Sequence, residues 1–148
     1  MLIKRMVLEE LKGYDGNLAY EDFDFWVRSA RNWKYGYQDQ AFTKIRSVPG
    51  SLSSKFKNKK NEMVKSTIIV CRKIQALLSS KEEEKALVNR IHYEMRQCVR
   101  LNLQEELHAF SRLLEALDHQ SLYSWFLVLL GKLPLVGKFL SLFRKNNK

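Results

Sequence analysis

The chain has 148 residues, 45% of them apolar, with 26 lysines and arginines against 16 aspartates and glutamates. That is about one domain's length, able to bury roughly 68% of its unfolded surface, and the apolar share excludes a disordered polyelectrolyte. Two cysteines exclude a disulfide-built scaffold, and the interval from Cys71 to Cys98 matches no zinc or redox pattern. The net charge of +10 is unevenly spread. Residues 44–73 hold nine basic side chains and one acidic, and residues 132–148 hold five and none, while the other two stretches are slightly acidic. Either basic region can face an anionic partner. Met1 to Met6 contains Lys4 and Arg5 and no cleavage site, so it does not read as a secretory signal. A cytoplasmic chain with buried free thiols is expected, at most peripheral to a membrane.

In chain order, Leu2, Ile3, Met6, Val7 and Leu11 recur at helical spacing, and Gly13 is placed to end that first helix. Tyr14-Asp15-Gly16-Asn17 is a turn. The next helix is expected to begin between Asn17 and Tyr20 and to end near Asn32. Ala19, Phe23, Trp26 and Ala30 form its inner row, with Val27 beside them. From Trp33 the period changes: Trp33, Tyr35 and Tyr37 alternate with Lys34 and Gly36, and Ala41 to Val48 is rich in β-branched and aromatic types. Two short strands joined around Gln38-Asp39-Gln40 are expected, closed by Pro49-Gly50-Ser51. A basic stretch follows, with Lys55, Lys57, Lys59 and Lys60.

The remainder reads as helical. A helix from about Glu62 carries Val64, Ile68, Cys71 and Leu78 on one row and closes at Ser79-Ser80. Ser80 and Glu83 spell a capping box for its successor. An apolar row then runs through Val88, Ile91, Met95, Val99, Leu103, Leu107, Phe110, Leu114 and Leu117. Asn102 with Glu105 is placed to cap a fresh start, which would divide the row between two helices. Leu122 to Phe143 is very apolar but interrupted by Gly131, Lys132, Pro134 and Gly137. A simple membrane span needs about 20 apolar residues, and Lys132 near the middle disfavours one. Leu135, Val136, Phe139, Leu140 and Phe143 fall opposite Lys138, Ser141 and Lys145, as in a helix lying at a membrane interface. Packing as a last bundle helix explains the same apolar residues.

The chemistry-bearing stretch runs from Gly13 to Arg28. Glu21, Asp22 and Asp24 are set among Tyr20, Phe23, Phe25 and Trp26 at a helix start, with Arg28 and Arg31 at its end. Acids at the first turn and bases at the last suit the helix dipole, so capping alone accounts for them. A carboxylate on an aromatic shelf can equally serve as a general base. Arg112 with His119, and Glu105 with His108, read as solvated side chains rather than as a nuclease pair or half of a di-iron site. Lysine in place of arginine between 55 and 60 argues for diffuse charge, which makes nucleic acid the third choice of partner.

Taken in order, the first 56 residues resemble the C-terminal part of the catalytic domain of inverting family-2 glycosyltransferases, which have the GT-A fold. The pieces are Ile3-Lys4-Arg5 to Leu11, Lys12-Gly13-Tyr14-Asp15, and Tyr20-Glu21-Asp22-Phe23-Asp24-Phe25-Trp26-Val27-Arg28. They continue with Tyr35-Gly36-Tyr37-Gln38-Asp39, Thr43 to Arg46, and Ser51-Leu52-Ser53. Lys12 stands where the family usually has the first of two glycines. The resemblance implies Asp22 as the general base that deprotonates an acceptor hydroxyl, with Glu21 beside it to orient acceptor or water. Phe25 and Trp26 would be support or acceptor shelf. A nucleotide-sugar donor and a divalent metal are implied by the family, but the half that binds them has no counterpart here. Asp22-Phe23-Asp24 opens a helix rather than following a strand, so it is not assigned to metal. The chain is accordingly expected to be a fragment or truncated form, inactive alone.

The expected fold is mainly α: a short α/β remnant of a GT-A-type domain (two helices and two short strands), followed by a helical bundle. Residues 1–56 form the glycosyltransferase-like portion and 57–148 the helical region, with a hydrophobic basic end at 121–148. The expected function is transfer of a sugar to an acceptor hydroxyl, on a free sugar or a lipid-linked acceptor. The rival is a non-enzymatic protein docked on an anionic membrane through Lys132, Lys138, Phe139, Phe143, Arg144 and Lys145.

Overall fold

A computed structural model describes residues 2–41, 43–44 and 60–133. Among them are six helices: α1 (Arg5–Glu10), α2 (Glu21–Ala30), α3 (Lys60–Leu77), α4 (Lys81–Leu101), α5 (Gln104–Ala116) and α6 (Leu122–Gly131). The chain divides into two compact units, Met1–Thr67 and Ile68–Lys148. The division falls inside α3, because its first turns belong with the helices before it. The Ser66 hydroxyl accepts a hydrogen bond from the Ala19 N–H at 2.8 Å, and Val64, Ser66 and Thr67 are buried.

In the first unit, α1 ends where Lys12 and Gly13 both take the left-handed conformation, at φ 56° and 70°. The Gly13 N–H returns to the Leu8 carbonyl at 2.8 Å, which satisfies one of the open carbonyls of the last turn. Asp15 then holds the expected turn, its Oδ1 accepting from the Asn17 N–H at 3.1 Å, and Leu18 is buried. Helix α2 starts at Glu21, just after the expected window of Asn17 to Tyr20, and ends at Ala30 rather than near Asn32, and its inner face is not the expected row. Asp24, Phe25 and Ser29 are buried, while Trp26 and Ala30 are exposed. The face is turned by about one residue, roughly 100°. The cause is an ion pair that faces inward. Arg28 bonds Asp24 at 2.8 Å and reaches the carbonyls of the turn beyond it, and Phe25 stacks on Tyr14 with centroids 4.7 Å apart.

The two short strands are corrected. The described residues contain no strand, and Trp33 to Asp39 runs without a ladder partner. Alternation of aromatic and polar types marks an extended stretch, but a strand also needs a neighbour for its N–H and C=O groups. Most of the expected second strand, at 42 and 45–48, lies outside the described residues, as does the boundary at 56.

The second unit is helical in its described part apart from short connections, with α4, α5 and α6 in mutual contact. Ser80 caps α4 by accepting from the Glu83 N–H at 3.2 Å. The reciprocal bond differs from a standard box: the Glu83 carboxylate accepts from the Ser79 N–H, one residue further back, at 2.9 Å. The long apolar row is divided at Asn102, as expected, but by another device. Asn102 ends α4 in the left-handed conformation, φ 56° and ψ 44°, and Leu103 precedes α5 with no side-chain cap. Asparagine tolerates that conformation better than most residues. Ile91, Met95, Val99, Leu107, Phe110 and Leu114 of the expected row are all buried. Both cysteines are free and buried, as expected.

Candidate functional site

The stretch from Gly13 to Arg28 forms one constellation within the first unit. The guanidinium of Arg28 is its centre: Nε donates to Asp24 Oδ2 at 2.8 Å, Nη1 to the Leu11 carbonyl at 2.6 Å, and Nη2 to the Gly13 carbonyl at 2.8 Å. Asp24 is completely buried, and an unpaired carboxylate there would carry the full cost of lost hydration. Arg28 therefore locks the end of α1 onto α2, using the planar fork that lysine lacks. Both residues are structural. The i, i+4 spacing of Asp24 and Arg28 was the available signal for this pairing.

Asp22 is left outside that lock. It is exposed, and Glu21 is half-buried. Asp22, Phe25, Trp26 and Ser29 are spaced i, i+3, i+4 and i+7, so they lie along one side of α2. Asp24 projects about 200° away from Asp22, towards Arg28. The Asp-x-Asp thus cannot chelate a single ion. No group of three or more His, Cys, Asp or Glu side chains among the described residues is arranged to hold a metal. The divalent metal implied by the resemblance does not fit these residues.

A groove of about 1070 Å³ opens beside the same side of α2. Its lining includes Val7 of α1, Phe25 and Ser29 of α2, and Trp33, Tyr35 and Tyr37 of the extended stretch. Phe25 is only 1% exposed, so it serves as wall rather than open shelf, whereas Trp26 is 40% exposed. The Ser29 hydroxyl donates to the Phe25 carbonyl at 2.7 Å and also bonds the Tyr35 hydroxyl, which fastens the extended stretch to α2. Asp22 is not among the lining residues; it stands three residues, about 4.5 Å along the helix, before Phe25. The groove was missed from sequence because the aromatic alternation that lines it was read as sheet.

In the second unit several polar side chains are engaged in pairs. Arg90 pairs with the buried Glu94 at 2.7 Å. Burial raises the Glu94 carboxyl, against the opposing pull of Arg90. Burial likewise pushes the Cys71 and Cys98 thiols up to about 12. His119 pairs with Glu84 at 2.5 Å and Arg112 is exposed, in keeping with their reading as surface side chains. Of the residues named for membrane contact, Lys132 is exposed directly after α6, and Lys138, Phe139, Phe143, Arg144 and Lys145 lie outside the described residues. So do Lys55, Lys57 and Lys59. No described helix is long and apolar enough to cross a membrane.

Comparison of the chain with models of known families, with characterised proteins and with solved structures finds no match.

Proposed function

We propose that this chain supplies the acceptor side of a glycosyl-transfer site, as the C-terminal portion of an inverting family-2-type enzyme, with Asp22 as general base. The observation that carries this reading is the division of labour on α2. Asp24 and Arg28 are consumed in holding the fold, while Asp22 is exposed on the side of the helix that borders the groove. Two further features support it. The turn, the acidic helix and the aromatic stretch of the resemblance are joined by hydrogen bonds into one unit. And Lys12, at the position where the family has glycine, takes the positive φ that glycine adopts most easily.

In this reading an acceptor binds along the groove with one hydroxyl at Asp22. The carboxylate takes that hydroxyl's proton as its oxygen attacks the anomeric carbon, and the bond from that carbon to the donor's phosphate oxygen breaks. Glu21 orients the acceptor, and Trp26 offers an exposed apolar face to a sugar ring. The donor is held by a nucleotide-binding half to which nothing in these 148 residues corresponds.

The test is to join this chain to a complete nucleotide-binding half of the same enzyme class and assay transfer. Asp22→Asn is expected to lower kcat by about 10²–10⁴-fold, the usual worth of a general base, with little change in melting temperature. Transfer at the unsubstituted rate would remove Asp22 from the mechanism.

A further inference from the structure

The outward side of α6 is apolar, and it is the largest set of exposed hydrophobic side chains on any described helix. Leu122 is 90% exposed, Trp125 62%, Phe126 53%, Leu129 62% and Leu133 51%. The spacing of i, i+3, i+4 and i+7 keeps Leu122, Trp125, Phe126 and Leu129 within a stripe about 100° wide, and Leu133 follows just after the helix. The opposite side, Ser124, Leu127, Val128 and Gly131, is buried against α4 and α5. A helix that is hydrophobic all round is normally enclosed, so the outer stripe calls for a cover.

The charges around it indicate which cover. Arg96 of α4 donates to the Tyr123 hydroxyl at 3.2 Å, which places a guanidinium at one edge of the stripe. Lys132, exposed, directly follows α6 at about 80° from Leu122 around the helix axis. From His119 to Lys148 the chain has five lysines and arginines and no acidic side chain. Aliphatic residues with a tryptophan, edged by cations and free of acids, match the boundary between acyl chains and anionic headgroups. Helix α6 has ten residues, about half the length a span requires, so it would lie at that boundary rather than cross.

We infer that α6 is a membrane-interface helix: Leu122, Trp125, Phe126, Leu129 and Leu133 insert among the lipids of an anionic bilayer, and Arg96 and Lys132 meet its headgroups. This site is independent of the glycosyl-transfer reading. It differs from the amphipathic pattern at 135–145 in resting on side chains whose exposure is observed.

The experiment is flotation of the full chain with phosphatidylglycerol-containing vesicles and with phosphatidylcholine vesicles. The chain should float with the first and remain behind with the second. Trp125→Ser with Phe126→Ser should weaken binding at least about tenfold while leaving helical content unchanged, since both side chains are exposed. Leu122→Ser provides a second, milder variant. Lys132→Gln should cost about fivefold. Equal binding of the stripe variants and the parent would overturn the inference and leave the basic tail as the binder. Failure to float with either lipid would also overturn it. In that event a lower melting point of the double variant assigns the stripe to residues 134–148, and a change in oligomer mass assigns it to a second copy.

Discussion

At the scale of single residues, Arg28 and Asp24 show how one pair can hold a helix in place. Arg28 is 23% exposed and Asp24 1%, so their pair is mostly withdrawn from water. Removing one partner of such a pair is far more damaging than removing both, because the survivor is left uncompensated. Arg28→Met is expected to lower stability by about 3 kcal/mol, read from denaturant midpoints. Adding Asp24→Asn should recover part of that loss, since the buried charge goes with it. A cost under about 0.5 kcal/mol for Arg28→Met would mean that the clamp contributes little. Asp22, by contrast, is expected to matter to chemistry and not to stability.

At the scale of helices, α5 and α6 approach closely at Gly131. A methyl group built on Gly131 collides with the side chain of Leu107, and the Gly131 carbonyl accepts from Gln104 Nε2. Leu107 is fully buried, so its side chain must repack to make way. Gly131→Ala is therefore expected to cost about 1–3 kcal/mol, the usual range for overpacking. Thermal melts of the two proteins would check it, and an unchanged midpoint would show that α6 shifts freely. The helices themselves were legible in the sequence because their signals are local: the Ser80 cap, the acids of α2 and the periodic row through α4 and α5. What was not legible depended on distant partners. Phe25 and Trp26 are adjacent aromatics, and periodicity alone cannot say which of two rows about 100° apart faces inward. The turn carbonyls that accept from Arg28 decided it. The alternation at Trp33 to Tyr37 fits an extended stretch along a groove as well as it fits a strand. The outer stripe of α6 was readable at i, i+3, i+4 and i+7, but the general apolarity of that segment concealed it.

At the scale of the whole molecule, the second unit contains a group that makes stability depend on pH. His92 lies against Tyr123, ring centroids 5.3 Å apart, and its Nε2 is buried without a hydrogen bond among the described residues. Its pKa is lowered from the ordinary 6.5, first by burial and then by the positive charges of Arg96 and His119. The unfolded chain then takes up this proton more readily than the folded one. The contribution of His92 is fully present above about pH 6.5 and declines as the pH falls through that value. Unfolding midpoints measured from pH 7.5 to 5 should fall more steeply for the parent than for His92→Gln. Parallel profiles would show that His92 has the same affinity for protons in both states.

The two buried sulfurs carry a different consequence. With both thiols raised to about 12, the fraction ionised at pH 7 is on the order of one in 10⁵. Thiolate, not thiol, attacks oxidants, alkylating agents and disulfides. While the second unit stays folded, burial and the raised pKa both slow the reaction of Cys71 and Cys98. Labelling of either sulfur is therefore expected to follow the opening of the helices, which makes the pair a natural clock for that event.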